Sequence, residues 1–147
     1  MKKSKRKILF LIDTLEVGGA ERSLLDILSR FRYYKPIICY IYPGGALAKN
    51  YSDSGVQVLS LNIDGKYSFI KSIGLVRELI RNERPSLVVT TLFRSDIVGR
   101  VAGHLESIPV ISTFVNDTYA PIRWKSLRKI PWLKHKLLWF MDRMTSR

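Results

Sequence analysis

Lys7-Ile8-Leu9-Phe10-Leu11-Ile12-Asp13-Thr14-Leu15-Glu16-Val17-Gly18-Gly19-Ala20-Glu21-Arg22 decides the fold. Lys7–Asp13 is a near-continuous apolar run, the pattern of a strand buried on both faces. Paired glycines follow, and then a helical pattern over Ala20–Phe31. Leu24, Ile27, Leu28 and Phe31 recur at i, i+3, i+4 and i+7, which places them on one stripe. Strand, glycine turn and amphipathic helix make the opening of a β-α unit.

The same alternation continues along the chain. Pro36–Tyr42 reads as a second strand, rich in β-favouring residues. Pro43-Gly44-Gly45 punctuates it. Ala46–Ser54 reads as a short helix closed by Gly55, and Val56–Leu61 as a third strand. Phe69–Arg84 carries Phe69, Ile73, Val76 and Ile80 on one stripe and stops before Pro85. Ser86–Leu92 is a fourth strand. Asp96–Ser107 is a helix, apolar at Ile97, Val101 and Leu105, and Pro109–Phe114 is a fifth strand. Five buried strands alternating with helices predict an α/β fold: a Rossmann-like open parallel sheet with helices on both faces. Residues 1–147 form one domain, with 118–147 as a basic amphipathic C-terminal segment. A final helix spans Trp132 to about Met144. The series would next supply another strand, so the sheet is expected to be cut short or completed elsewhere.

The 147 residues are 46% hydrophobic and 25% charged, a globular composition. The longest uninterrupted apolar run is six residues, Ile37–Tyr42, against the ~20 that a spanning helix needs. The start MKKSKRK-ILFLI mimics a secretory leader, but its apolar stretch is shorter than the ~7–15 residues required. A single cysteine, Cys39, cannot form an internal disulfide, which fits a reducing compartment. Net charge is +13 and sits almost wholly at the two ends. Residues 1–7 hold five basic groups and no acid. Residues 118–147 hold eight basic groups and one acid, Asp142. Cationic surface of this kind seeks phosphate.

In an open parallel sheet, ligands bind beyond the carboxyl ends of the strands. Residues 14–20, 43–46, 93–96 and 115–119 are therefore the candidate loops. Two readings of Gly18-Gly19 stand. Backbone N–H groups there can approach an anionic or polyhydroxylated ligand closely. Equally, the glycines make a tight turn, with Glu21 favourable in the first helical turn. G-x-G-x-x-G is absent, and the second strand ends without an acidic residue for a ribose, so the dinucleotide fingerprint is excluded. No G-K-[ST] follows the glycines, and no G-x-S-x-G elbow occurs. His104 and His135 stand apart from any Cys–His spacing, and no metal is expected.

Together these segments resemble family 4-type glycosyltransferases of the GT-B fold. Ile8–Asp13 with Gly18-Gly19-Ala20-Glu21-Arg22 is similar to that family's opening. Pro43-Gly44-Gly45-Ala46-Leu47 with Gly55-Val56-Gln57-Val58 is similar to its second β-α unit. Arg84–Asp96 with Gly99-Arg100 resembles its fourth strand and following helix, and Ile108–Thr113 its fifth strand. The resemblance implies an N-terminal acceptor-binding domain that faces a C-terminal nucleotide-sugar domain across a cleft. It implies sugar transfer with retention of configuration and without a metal or other cofactor. Gly18, Gly19 and Glu21 would lie near the donor. Arg94, Ser95, Asp96, Asn116 and Asp117 would line the glycan or lipid-linked acceptor. There are two departures. Many members place a histidine where this chain has Val115, so no catalytic histidine carries over. The donor half, with its E-x7-E-type carboxylates, is absent from the 147 residues. Alone, the chain is expected to be inactive, and the nucleotide-sugar is expected only with a donor domain, in a separate chain if need be.

In the terminal helix, Leu133, Leu137, Phe140 and Met144 make one stripe. Trp132, Lys136, Trp139 and Arg143 make its neighbour. Tryptophan interleaved with cations suits an anionic membrane surface. That expectation puts the chain in the cytoplasm, at the inner face of the membrane. The other reading packs the first stripe on the sheet and leaves the lysines solvated. A cationic module for nucleic acid is the competing function. No helix-turn-helix, zinc finger or aromatic RNA-binding motif supports it.

Overall fold

The computed structural model describes residues 5–65, 68–115 and 129–145. Five strands, β1 (Lys7–Ile12), β2 (Lys35–Tyr40), β3 (Gln57–Ser60), β4 (Leu87–Thr91) and β5 (Val110–Thr113), form one sheet. Every pairing is parallel and the order is β3-β2-β1-β4-β5. Helices α1 (Gly19–Leu28), α2 (Ala48–Asp53), α3 (Phe69–Glu83) and α4 (Phe93–Leu105) fill the connections, and α5 (Lys129–Thr145) follows. This is the expected Rossmann-like sheet. Among the described residues, β5 has no strand on its outer edge.

The central strand sets the layers. Phe10 pairs with Ile38 on one side and Val89 on the other. Alternate side chains point to opposite faces. Leu9 and Leu11 join Cys39, Val76, Ile80, Val98 and Ala102 under α3 and α4. Ile8, Phe10 and Ile12 join Leu24, Leu28, Leu47 and Tyr51 under α1 and α2. Helices thus cover both faces. Cys39 is wholly buried, and burial pushes its thiol up to about 12, which leaves it unreactive.

Several element limits differ from expectation. α1 ends at Leu28, and Phe31 instead packs edge-to-face on Phe10 at 5.6 Å. Ile27, expected in the buried stripe, is 54% exposed because Leu24 and Leu28 already fill the contact. α4 starts at Phe93, three residues before the expected Asp96. It packs on the sheet through Val98, Gly99, Ala102 and Gly103, whereas Leu105 of the expected apolar stripe is 51% exposed. α5 starts at Lys129 rather than Trp132. Pro131 is tolerated in that first turn, where backbone N–H groups have no helical acceptor. Gly55 takes the left-handed turn after α2 as expected, at φ +80°.

The glycines of α4 let it lie close on the sheet. A methyl group at Gly103 would collide with Val110, and one at Gly99 with Thr90. Gly103→Ala is therefore expected to destabilise the fold by about 1–3 kcal/mol. Gly74→Ala, on the open side of α3 with nothing within 4 Å, should stabilise it by about 0.5–1 kcal/mol. Urea denaturation of both variants checks the pair, and equal midpoints would show that α4 does not press on the sheet as described.

Candidate functional site

Strand order reverses at β1, whose neighbours β2 and β4 lead away in opposite directions. The crevice of an open α/β sheet opens at such a point. Asp13 follows β1 there, and the first turn of α4 follows β4. The Asp13 carboxylate accepts the backbone N–H of Ser95 at 2.8 Å. Ser95 is the third residue of α4, a position whose N–H has no acceptor within the helix. Asp13, 82 positions away in the chain, therefore caps α4 in place of the residue before it. That residue is Leu92, held at φ +79°. Backbone conformations of this kind, rare for side chains other than glycine, persist only where surrounding structure enforces them.

The cluster grows outward from this contact. The Arg94 guanidinium lies 3.9 Å from the second Asp13 oxygen and 5.2 Å above the Tyr42 ring. The Tyr42 hydroxyl is buried beside Ser72, and burial raises it above the ordinary tyrosine range against the opposing pull of Ser72. Burial raises the Asp13 carboxyl above the ordinary aspartate range, against the opposing pull of Ser95 and Arg94. The side chain of Asp13 is only 14% exposed, whereas Arg94 keeps 28% of its own surface. Arg94 is thus the cation that this crevice can offer to a ligand.

Ser95 and Asp96, expected to line an acceptor, lie in the first turn of α4 and are turned inward. The Ser95 hydroxyl donates to the carbonyls of Thr91 and Leu92 and is fully buried. Asp96 accepts the Thr90 hydroxyl at 2.6 Å and faces Arg100 at 3.9 Å. Burial raises its pKa as well, opposed by Thr90 and Arg100. Asn116 and Asp117 lie outside the described residues.

The first two loops are stitched together. Leu15 N–H donates to the Gly44 carbonyl at 2.7 Å, Leu47 N–H to Leu15 at 2.8 Å, and Tyr42 N–H to Asp13 at 2.9 Å. Gly44, at φ +127°, packs beneath the Glu16 side chain. Gly18 is the N-cap of α1, with extended backbone. Glu21 folds back over it: a methyl group on Gly18 would collide with that carboxylate. This is where the third-position glutamate of a capping box sits. Gly19 is exposed, with nothing within 4 Å of where a side chain would start. Glu21 itself is buried, and its carbonyl accepts the Tyr51 hydroxyl at 2.7 Å.

The predicted site residues thus fall into separate places. Arg94, Ser95 and Asp96 gather with Asp13 on the α4 side of the sheet. Gly18, Gly19 and Glu21 sit on the α1 side, and the two groups meet only through the end of β1. Asp13 and Tyr42 were not among the predicted site residues. The signal for Asp13 was an acid directly after a buried strand. Away from this crevice, a groove of about 670 Å³ lies between α4, β5 and the end of α5, lined in part by Arg100, His104, Phe114 and Met144. Val115, after β5, is 45% exposed. No helix is long and apolar enough to cross a membrane among the described residues.

No family model matches the sequence, and no curated protein matches it. Solved structures do match in shape. The Alr3699/HepE protein of Anabaena, in complex with UDP, is 19% identical with a TM-score of 0.65, over 88% of this chain and 33% of that one. A glycosyltransferase from Rickettsia africae is 19% identical with a TM-score of 0.62, over 85% and 35%. The S. aureus MnaA–UDP structure is 17% identical with a TM-score of 0.63, over 90% and 37%. The chain spans about a third of the length of these proteins. It has the α/β fold shared by GT-B-type glycosyltransferases and UDP-GlcNAc 2-epimerases.

Proposed function

We propose that this chain is the acceptor-side half of a retaining glycosyltransferase, which moves a sugar from a nucleotide-sugar to a glycan or lipid-linked acceptor. The observation that carries the reading is the polar crevice at the reversal of strand order, in a fold whose solved examples include complexes with UDP and, for the Anabaena protein, UDP and glucose. The chemistry of the crevice favours the acceptor role. Asp13 and Glu16 belong to the strand-to-helix segment after β1 and Glu21 to the first turn of α1, while Arg94 supplies the cation. Carboxylates accept hydrogen bonds from sugar hydroxyls and repel a diphosphate. Glu21 over Gly18 keeps a diphosphate from the α1 N-terminus. The diphosphate then falls to a partner domain, in the same polypeptide or a separate chain, and this half alone is inactive. Gly19 is the open backbone that the reacting sugar would approach, and Arg94, with Asn116 and Asp117, the acceptor side. The reaction calls for no metal. Polysaccharide or glycolipid synthesis at the inner face of the cytoplasmic membrane is the setting proposed.

Co-expression with the reading frames that adjoin its own, followed by an assay of sugar transfer, tests this. Transfer is expected from the combined halves and from neither alone. Gly19→Ala, which has free space for its methyl group, should leave the melting temperature unchanged and lower kcat/KM by about 10- to 100-fold. Epimerisation of a nucleotide-sugar without any acceptor, or full transfer by Gly19→Ala, would overturn the reading.

Asp13→Asn separates fold from chemistry. A carboxyl raised above its unfolded value contributes stability below that value and loses it as pH climbs through the folded one. For Asp13 the loss begins above the ordinary 3.8. Asparagine still accepts the Ser95 N–H and does not ionise. The variant should therefore gain on the native chain as pH rises from about 4 to 7, measured by thermal melts across that range. A constant difference would mean that Asp13 carries no buried charge.

A further inference from the structure

Helix α5 carries an exposed apolar row, whose last member, Met144, stands at the rim of the groove beside β5. Its inward contact is made by Asp142, whose carboxylate accepts Arg100 Nη1 at 2.6 Å. The Arg100 side chain is only 9% exposed and also donates to Ser112 at 2.8 Å. This clasp fixes which side of α5 meets α4. Leu137, Phe140 and Met144, spaced i, i+3 and i+7, are 60%, 55% and 63% exposed. At 100° per residue they lie on a different side of the helix from Asp142. The first stripe, which one reading packs on the sheet, is exposed at these three positions.

The chemistry beside that row is cationic. Lys136 and Arg143 are exposed and Trp139 is half-buried, with the Arg143 guanidinium 5.5 Å from the Trp139 ring centre. The Trp132 side chain lies outside the described residues. Residues 118–147 hold eight basic groups and the one acid Asp142, which already faces Arg100. An apolar row bordered by cations and one tryptophan matches the boundary between anionic headgroups and acyl chains. A second copy of the chain would bring the same cations against each other.

We infer that α5 docks this chain on an anionic bilayer, with Leu137, Phe140 and Met144 inserted and Lys136 and Arg143 at the level of the lipid phosphates. The inference rests on the membrane-side setting proposed above and not on which sugar is moved. Failure of vesicle binding would leave transfer to a soluble acceptor standing. Failure of transfer with vesicle binding intact would overturn only the glycosyltransferase reading.

The test is co-sedimentation of the chain with vesicles of phosphatidylcholine, alone or mixed with phosphatidylglycerol. Binding is expected on the mixed vesicles at low salt and should weaken on pure phosphatidylcholine and at high salt. Phe140→Glu or Leu137→Glu should lower the partition about tenfold or more, since each puts a charge in the inserted row. Lys136→Glu with Arg143→Glu should lower it by a similar factor through lost phosphate attraction. Ile70→Glu, at a still more exposed apolar residue on α3, should bind like the native chain. A native chain left in the supernatant overturns the inference. So does unchanged binding by both Phe140→Glu and Leu137→Glu. Light scattering in which those variants turn a dimer into monomers, with vesicle binding unchanged, assigns the row to a second copy and overturns it too.

Discussion

The fold depends on β1 being hydrogen-bonded along both edges and buried on both faces. Its residues from Ile8 to Ile12 are all within a few per cent of complete burial. At about 1.5–3 kcal/mol for each large apolar side chain, this strand anchors two cores at once. β2 and β4 can then add only on opposite sides. That geometry makes the crevice, because the chains leaving β1 and β4 turn to different faces. It also puts Asp13 at the floor of the crevice, within reach of α4.

What was legible in the sequence follows from the same constraint. The central strands β1 and β2, buried on both faces, read as near-unbroken apolar runs; the edge strands β3 and β5 are only partly buried, yet all five lie close to the expected limits. Helix α4 was less legible because its cap is not local. Leu92 cannot cap a helix with its side chain, and Phe93-Arg94-Ser95 carries no start signal. The acceptor for Ser95 N–H comes from Asp13, through tertiary packing that no window of sequence contains. Ser95 was expected in a loop and Asp96 at the start of the helix, but both lie in the first turn of α4. Their hydroxyl and carboxylate serve Thr91, Leu92, Thr90 and Arg100.

Helix α5 shows a second limit of the same kind. Two adjacent stripes at helical spacing are both partly apolar, and periodicity alone cannot say which faces inward. An ion pair decides it. Arg100 lies in the interior of α4, where a charge without a partner would be costly. Ser112, Asp96 and Asp142 surround it. Asp142, the one acid in a strongly basic segment, is thereby drawn to α4, and the orientation of α5 follows.

The distribution of charge then separates two tasks. Nearly all of the net charge of +13 lies at the ends of the sequence. The crevice at the end of β1 has an acid-rich border, with Arg94 held against Asp13 and Tyr42. A protein built to hold a nucleotide diphosphate in this crevice would bring cations and bare backbone N–H groups to it. Here a glutamate covers the glycine turn, and an aspartate caps the helix across from it. On the proposed reading the two regions do different work: the carboxylates suit a polyhydroxylated acceptor, and the cations at the C-terminal end hold the chain at an anionic surface. On the same reading, the donor's phosphates call for a different set of residues, supplied by a second domain.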